Sequence, residues 1–133
     1  MNEEIRAQRQ NFKRAWLVGI QHGRTTHAEV EDHLRELEAL VTTLGVPIAG
    51  SEIVRLREYS PSLLIGSGKA EEIMTRLEAE DCDLLVFDDD LAPPQQHLWE
   101  AKAKRAVIDR RKVIIDIFAQ RAQAREPRLQ VEL

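Results

Sequence analysis

Short apolar runs alternate with stretches of helical periodicity along this chain, and that alternation constrains the fold more than any other feature. Residues 15–20 and 84–87 are continuously apolar, as expected of strands buried on both faces. Further strands are predicted at 48–57, 62–65 and 106–108, with helices at 27–44, 70–80, 93–104 and from 110 onward. The order predicts an α/β domain: a small parallel sheet of about four strands, flanked by helices that make right-handed crossovers.

Residues typical of helix ends predict where several of these helices begin and end. Thr26 and Glu29 have the spacing of a capping box, and Gly45 is placed to end the helix that the box opens. The pair Pro93-Pro94 suits the first turn of a helix, where proline is tolerated. Asp109 is placed to cap the last helix, which we expect to break at Pro127 because proline donates no backbone amide.

The length of 133 residues predicts one domain with a substantial core. We assign residues 1–14 to a polar arm, 15–126 to the α/β domain and 127–133 to the start of a connection. The single cysteine, Cys82, fits a reducing compartment. Neither a signal peptide nor a membrane-spanning run is evident, so the sequence predicts a cytoplasmic protein without membrane contact.

The segment "IGSGKAEE" resembles a phosphate-binding loop. We call its residues Gly66, Ser67, Gly68 and Lys69 the glycine loop. A Walker A loop, G-x-x-x-x-G-K-[ST], needs a glycine at position 63 and a hydroxyl at position 70. The chain has Leu63 and Ala70 instead, so we predict weak nucleotide binding or none. The amides of a strand-to-helix turn could still hold an anion, although two glutamates follow closely.

Asp88, Asp89 and Asp90 follow a predicted central strand, at the edge where doubly wound folds keep their sites. Two of these carboxylates could hold magnesium for phosphotransfer, together with Lys69. The alternative, which we favour, is that Asp89 or Asp90 caps the helix starting at Pro93 and that the others are solvated. The four histidines lack metal-ligand spacing, so no metal site is predicted.

The charge distribution is uneven, since the net charge of −4 combines an acidic middle with a basic end. Residues 101–133 carry nine basic and four acidic side chains. Cations at a helix amino end oppose the helix dipole, which favours an external anionic partner for the last helix. The candidate nucleic-acid contacts are Arg110, Arg111, Lys112, Arg121, Arg125 and Arg128. The alternative is a solvated helix face, on which Arg121 and Arg125 suit the carboxyl end of the helix dipole.

Three segments together resemble the amino-terminal domain of the HflX family of ribosome-associated GTPases. They are "LLIGSGKAEEI", "DLLVFDDDLAPPQQ" and "VIDRRKVIIDIFAQRAQAREPRLQVEL", in the order and spacing of the family. Two departures occur in the last segment: Arg111 stands where threonine is usual, and the family's "REGKLQVEL" reads "REPRLQVEL" here.

The resemblance implies a domain that helps to anchor a GTPase on the large ribosomal subunit and modulates its nucleotide cycle, with rRNA as the anionic partner. In the family, "LQVEL" leads into a helical hairpin and a GTPase domain with a genuine Walker A loop. We therefore expect no enzyme activity from these residues alone, and GTP and magnesium only with that GTPase domain. A homo-oligomeric interaction module, with weak dimerisation, is a further alternative.

Overall fold

A computed structural model describes the backbone of residues 12–131 and the side chains of residues 12–123. Strands and helices alternate throughout. The strands are β1 (Ala15–His22), β2 (Ile48–Leu56), β3 (Leu84–Phe87) and β4 (Ala106–Asp109). The helices are α1 (His27–Leu44), α2 (Ser67–Ala79), α3 (Pro93–Ala103) and α4 (Arg110–Val131).

The four strands form one parallel sheet in the order β2-β1-β3-β4, which confirms the predicted fold class. From β1 the chain moves outward to β2, then crosses back over β1 to reach β3 and β4. The direction of winding thus reverses between β1 and β3. In sheets of this kind the reversal opens a crevice at the carboxyl ends of the strands, where ligands bind.

Alternate residues of each strand enter two separate apolar clusters, one on each face of the sheet. Trp16, Val18, Leu85 and Phe87 pack on the face covered by α2 and α3. Leu17 and the intervening strand residues pack on the other face, against α1 and α4. Phe12 is also buried there. Period-two side-chain alternation between two covered faces makes β1, β3 and β4 largely apolar, whereas β2, at one end of the sheet, carries Ser51, Glu52 and Arg55.

The predicted end signals of α1 and α4 are confirmed. The Thr26 hydroxyl accepts from the Glu29 amide at 3.1 Å, and the Glu29 carboxylate accepts from the Thr26 amide at 3.0 Å. Gly45 ends α1 in the left-handed region, with φ 98°. Asp109 Oδ1 accepts from the Lys112 amide at 3.0 Å and so caps α4.

Three local predictions are wrong. Residues 62–65 form a turn closed by the antiparallel bridge Ser60↔Leu64, because Leu64 takes a positive φ of 71° that no strand allows. Helix α2 begins at Ser67 rather than at residue 70. Helix α4 continues past Pro127 to Val131, since a proline within a helix removes one amide bond and can bend the helix without ending it.

Within the described part of the chain, none of the helices combines the length and apolar character needed to cross a membrane.

Candidate functional site at the carboxyl edge of the sheet

The acidic segment that follows β3 lies at the crevice between β1 and β3. The Asp88 amide donates to the Val18 carbonyl at 2.9 Å, which continues the ladder by one bond and fixes the start of the segment. Asp88 and Asp89 are half-buried, whereas Asp90 is exposed. The sequence therefore placed these carboxylates at the correct edge of the sheet.

Each of the three carboxylates has a partner of its own. Asp88 pairs with Arg110 at 2.6 Å, Asp89 accepts from the Tyr59 hydroxyl at 3.0 Å, and Asp90 pairs with Arg111 at 3.3 Å. The three groups are thus directed to three different partners and do not converge on one point. Among the residues that the structure describes, no cluster of metal-ligating side chains is found.

The expected cap of α3 by Asp89 or Asp90 is wrong. The N-cap of this helix is Ala92, and the Gln95 side chain accepts from the Ala92 amide at 2.9 Å. Alanine has no capping oxygen, so only the return half of a capping box is formed, in which the glutamine of the first turn satisfies the N-cap amide. Asp89 and Asp90 are directed instead to Tyr59 and Arg111.

Arg110 joins three elements at this edge. Its guanidinium contacts Asp88 after β3, donates to the His33 carbonyl of α1 at 2.8 Å, and reaches Glu36 at 3.3 Å. The side chain is only 25% exposed. A positive charge at the amino end of α4 is therefore compensated within the domain, and it no longer requires an external anion.

The rest of the predicted basic set is partly engaged as well. Arg111 pairs with Asp90 and Asp109, and Lys112 pairs with Asp116 at 3.5 Å. Arg121 is exposed and lies over the Phe118 ring, 5.8 Å from its centroid. The side chains of Arg125 and Arg128 lie outside the described residues. Nucleic-acid binding by this set stays a prediction. The helix dipole no longer argues for an external anion beside Arg110 to Lys112, because these three side chains pair with carboxylates of the domain.

The glycine loop forms the amino end of α2, with Gly66 as N-cap and no side-chain cap bond. A Cβ added at Gly66 or Gly68 would meet no atom within 4 Å, so neither packing nor backbone strain calls for glycine here. Lys69 is held by Glu52 at 3.6 Å and Glu72 at 3.4 Å. Its ammonium therefore already has two carboxylates beside it in this structure.

Sequence reasoning missed a group of side chains beside the acidic segment. The Tyr59 ring contacts the His22 ring, with centroids 4.4 Å apart, and remains 42% exposed. Next to them a hollow of about 190 Å³ opens at the ends of β1 and β2, lined by Gln21, Gly23, Arg55, Leu56 and Arg57. The only signal in the sequence was the alternation of Arg55 and Arg57 with apolar residues at the end of β2.

Burial and the neighbouring Asp89 carboxylate raise the pKa of Tyr59 to about 12. Burial also raises the pKa of Asp89, against the opposing effect of the Tyr59 hydroxyl that donates to it. In both groups partial removal from water disfavours the charged form and raises the pKa.

We expect the phenol of Tyr59 to ionise near pH 12 in the folded protein and near pH 10 in urea. Folded-state stability should accordingly fall between those values, because the unfolded state has lost a proton that the folded state retains. Tyr59 is the only tyrosine, so absorbance at 295 nm reports on it alone. Asp89→Asn should lower the folded midpoint; an identical titration in that variant would contradict the contact.

Helix α4 carries apolar side chains that the described residues leave uncovered. Ile115 is 57% exposed and Phe118 is 62% exposed, and Ile114 is also exposed. Val113 and Ile117 of the same helix are buried, whereas Phe118 is not. Only one side of α4 faces the sheet, so an apolar stripe wider than that side extends into solvent.

Comparison with known proteins shows which class of proteins this α/β domain belongs to. Residues 31–119 match the family described as "GTP-binding GTPase N-terminal". The chain is 44% identical over 132 residues to the GTPase HflX of Akkermansia muciniphila, covering 98% of this chain and 30% of that protein. It is 40% identical over 113 residues to the GTPase HflX of Escherichia coli, covering 82% of this chain and 25% of that protein.

The chain belongs to the HflX family and corresponds to its amino-terminal domain, which confirms the resemblance seen in the sequence. It spans about 30% of the length of the first of those relatives.

Solved structures show the same fold. The SsGBP and GDP complex superposes with a TM-score of 0.63 at 21% identity, covering 90% of this chain and 33% of that one. A GTP-binding protein from Sulfolobus solfataricus, in complex with GDP, gives a TM-score of 0.59 at 18% identity, covering 80% of this chain and 30% of that one.

Proposed function

We propose that this domain docks an HflX-type GTPase on the RNA of the large ribosomal subunit and modulates its nucleotide cycle. The observation that carries the proposal is the match of nearly the whole chain to the amino-terminal part of proteins named GTPase HflX. In this proposal the domain binds the ribosome and orients the GTPase, and GTP hydrolysis belongs to a GTPase domain. We propose a cytoplasmic location for the protein.

The chain's own residues support a binding role rather than a catalytic one. The glycine loop lacks both ends of a Walker A loop, and Lys69 is held by two carboxylates. The three aspartates after β3 are each directed to a separate partner. GTP and magnesium are accordingly assigned to the GTPase domain of the family, and weak nucleotide binding by this chain stays a prediction.

Ribosome association can be measured by co-sedimentation with purified subunits. We expect the domain to pellet with large subunits at low salt, with micromolar affinity or weaker, and much less with small subunits. Contacts to RNA phosphates release counterions, so binding should fall steeply as salt rises. Equal binding to both subunits, or none to large subunits at low salt, would contradict the proposal.

Self-association is a second candidate, favoured by one observation. Ile114, Ile115 and Phe118 leave an exposed apolar stripe on α4 that a second copy could cover. Light scattering on the sample used for co-sedimentation separates the candidates, since a docking domain that works alone is monomeric at the concentrations where it binds.

A further inference from the structure

We propose that the hollow at the ends of β1 and β2 binds a backbone phosphate of single-stranded RNA, with Arg55 and Arg57 as the cations and Tyr59 as the platform for the adjoining base. The inference rests on the proposed function, because it identifies the RNA-binding site of the same domain. It places the contacts at the ends of β1 and β2 rather than at the start of α4.

The first support is the pairing of charges at this edge. Arg110 and Arg111 are both engaged with carboxylates of the domain. Arg55 and Arg57 are exposed and form no ion pair within the part of the chain that the structure describes. Unpaired arginines with planar, multiply donating heads are the side chains best suited to phosphate.

The second support is the shape and lining of the hollow. Its volume of about 190 Å³ is below the range of pockets that enclose a whole small-molecule ligand. A single phosphate attached to a longer chain fits such a space, whereas a complete nucleotide does not. Gly23 at its wall has a φ of 65° and no side chain, which leaves the backbone open to an approaching group.

The third support is an unsatisfied acceptor in that wall. The side-chain oxygen of Gln21 is buried and lacks a hydrogen-bond partner among the described residues. Buried polar atoms of this kind nearly always have a partner in native proteins. A turn of the Gln21 amide toward the hollow would bring its oxygen to a ribose hydroxyl next to the bound phosphate, and that hydroxyl distinguishes RNA from DNA.

The fourth support is the aromatic pair that adjoins the arginines. Tyr59 follows Arg57 by two residues, and its ring lies against His22, which stands between Gln21 and Gly23 in the chain. The hydroxyl of Tyr59 donates to Asp89, so the exposed ring is held in one orientation. An aromatic face beside a phosphate site is the arrangement by which proteins stack unpaired bases.

Binding of a fluorescein-labelled 12-nucleotide poly-uridine RNA tests the site by anisotropy. One phosphate contact to single-stranded RNA should make the affinity fall about 2.6-fold between 50 and 200 mM salt. Arg55→Gln/Arg57→Gln should abolish that part of the salt dependence, and Tyr59→Ala should weaken binding about fivefold or more. Tyr59→Phe keeps the ring but loses the hydroxyl that donates to Asp89, so it should weaken binding less than Tyr59→Ala does.

The matched charge control is Lys102→Gln/Lys104→Gln. Both lysines are exposed at the end of α3, at the opposite edge of the sheet, so this variant loses the same charge and should keep the affinity. If both double variants weaken binding equally, the effect is general charge attraction and the site is wrong. Full displacement of the RNA by millimolar inorganic phosphate at matched ionic strength would also overturn it.

Parallel co-sedimentation distinguishes this inference from the proposed function. If the unmodified domain pellets with large subunits but Arg55→Gln/Arg57→Gln has no effect on either assay, the hollow is wrong and the docking role stands. If the arginines bind the oligonucleotide but the domain does not pellet with large subunits, the site stands and the docking role is wrong.

Discussion

Trp99→Ala is expected to lower the free energy of unfolding by about 3–5 kcal/mol, the range for deleting a large aromatic side chain from a packed core. Trp99 is fully buried between α3 and the sheet, with its ring centroid 5.3 Å from that of Phe87. Its indole nitrogen donates to the Leu63 carbonyl at 2.7 Å. Urea unfolding followed by circular dichroism measures the change.

Trp99→Phe separates the two contributions. It keeps an aromatic ring against Phe87 but leaves the Leu63 carbonyl without its donor, which costs about 1–3 kcal/mol for a buried group. A loss in Trp99→Phe as large as that in Trp99→Ala would show that the hydrogen bond to the 60–65 turn outweighs packing. No loss in either variant would contradict the described core.

Asp109→Ala is expected to cost about 3 kcal/mol, as the sum of a lost helix cap and an orphaned buried amide. Asp109 is 6% exposed at the end of β4. One carboxylate oxygen accepts from the Lys112 amide at 3.0 Å, and the other accepts from the Leu91 amide at 2.8 Å. A single side chain thus holds both the start of α4 and the loop that carries the acidic segment.

Asp109→Asn and Asp90→Ala provide the comparison, again by urea unfolding. Asparagine has one acceptor oxygen, so it can keep one of the two amide bonds and should show an intermediate loss. Asp90 is exposed, and its ion pair within the described residues is with the exposed Arg111, so its removal should cost at most about 1 kcal/mol. Equal losses for Asp109→Ala and Asp90→Ala would contradict the assignment of the cap.

The fold could be predicted from the sequence because its signals are local. Continuous apolar runs such as 84–87 identify strands buried on both faces, and Thr26, Gly45 and Asp109 mark helix ends through contacts within three or four residues. The strand predicted at residues 62–65 was wrong because the apolar side chains of this segment are buried in a turn. Burial produces the same composition in a turn as in a short strand.

The candidate site was less predictable, because its contacts join residues distant in sequence. The sequence places Asp88 to Asp90 at the correct edge, but it does not show that Arg110 closes on Asp88 from another helix or that Tyr59 reaches Asp89 across 30 residues. The positive charges at the start of α4 were therefore predicted, from the sequence alone, to bind an external anionic partner. The position of Gln21 beside Arg55 and Arg57 likewise depends on the register of β1 with β2.

Cryo-electron microscopy of this domain mixed with purified large ribosomal subunits is the most direct test of ribosomal docking. We expect density for the α/β domain on the large subunit, with the carboxyl edge of the sheet against rRNA and a phosphate beside Arg55 and Arg57. Subunits without bound domain at saturating concentration, or a domain bound with that edge turned to solvent, would contradict it.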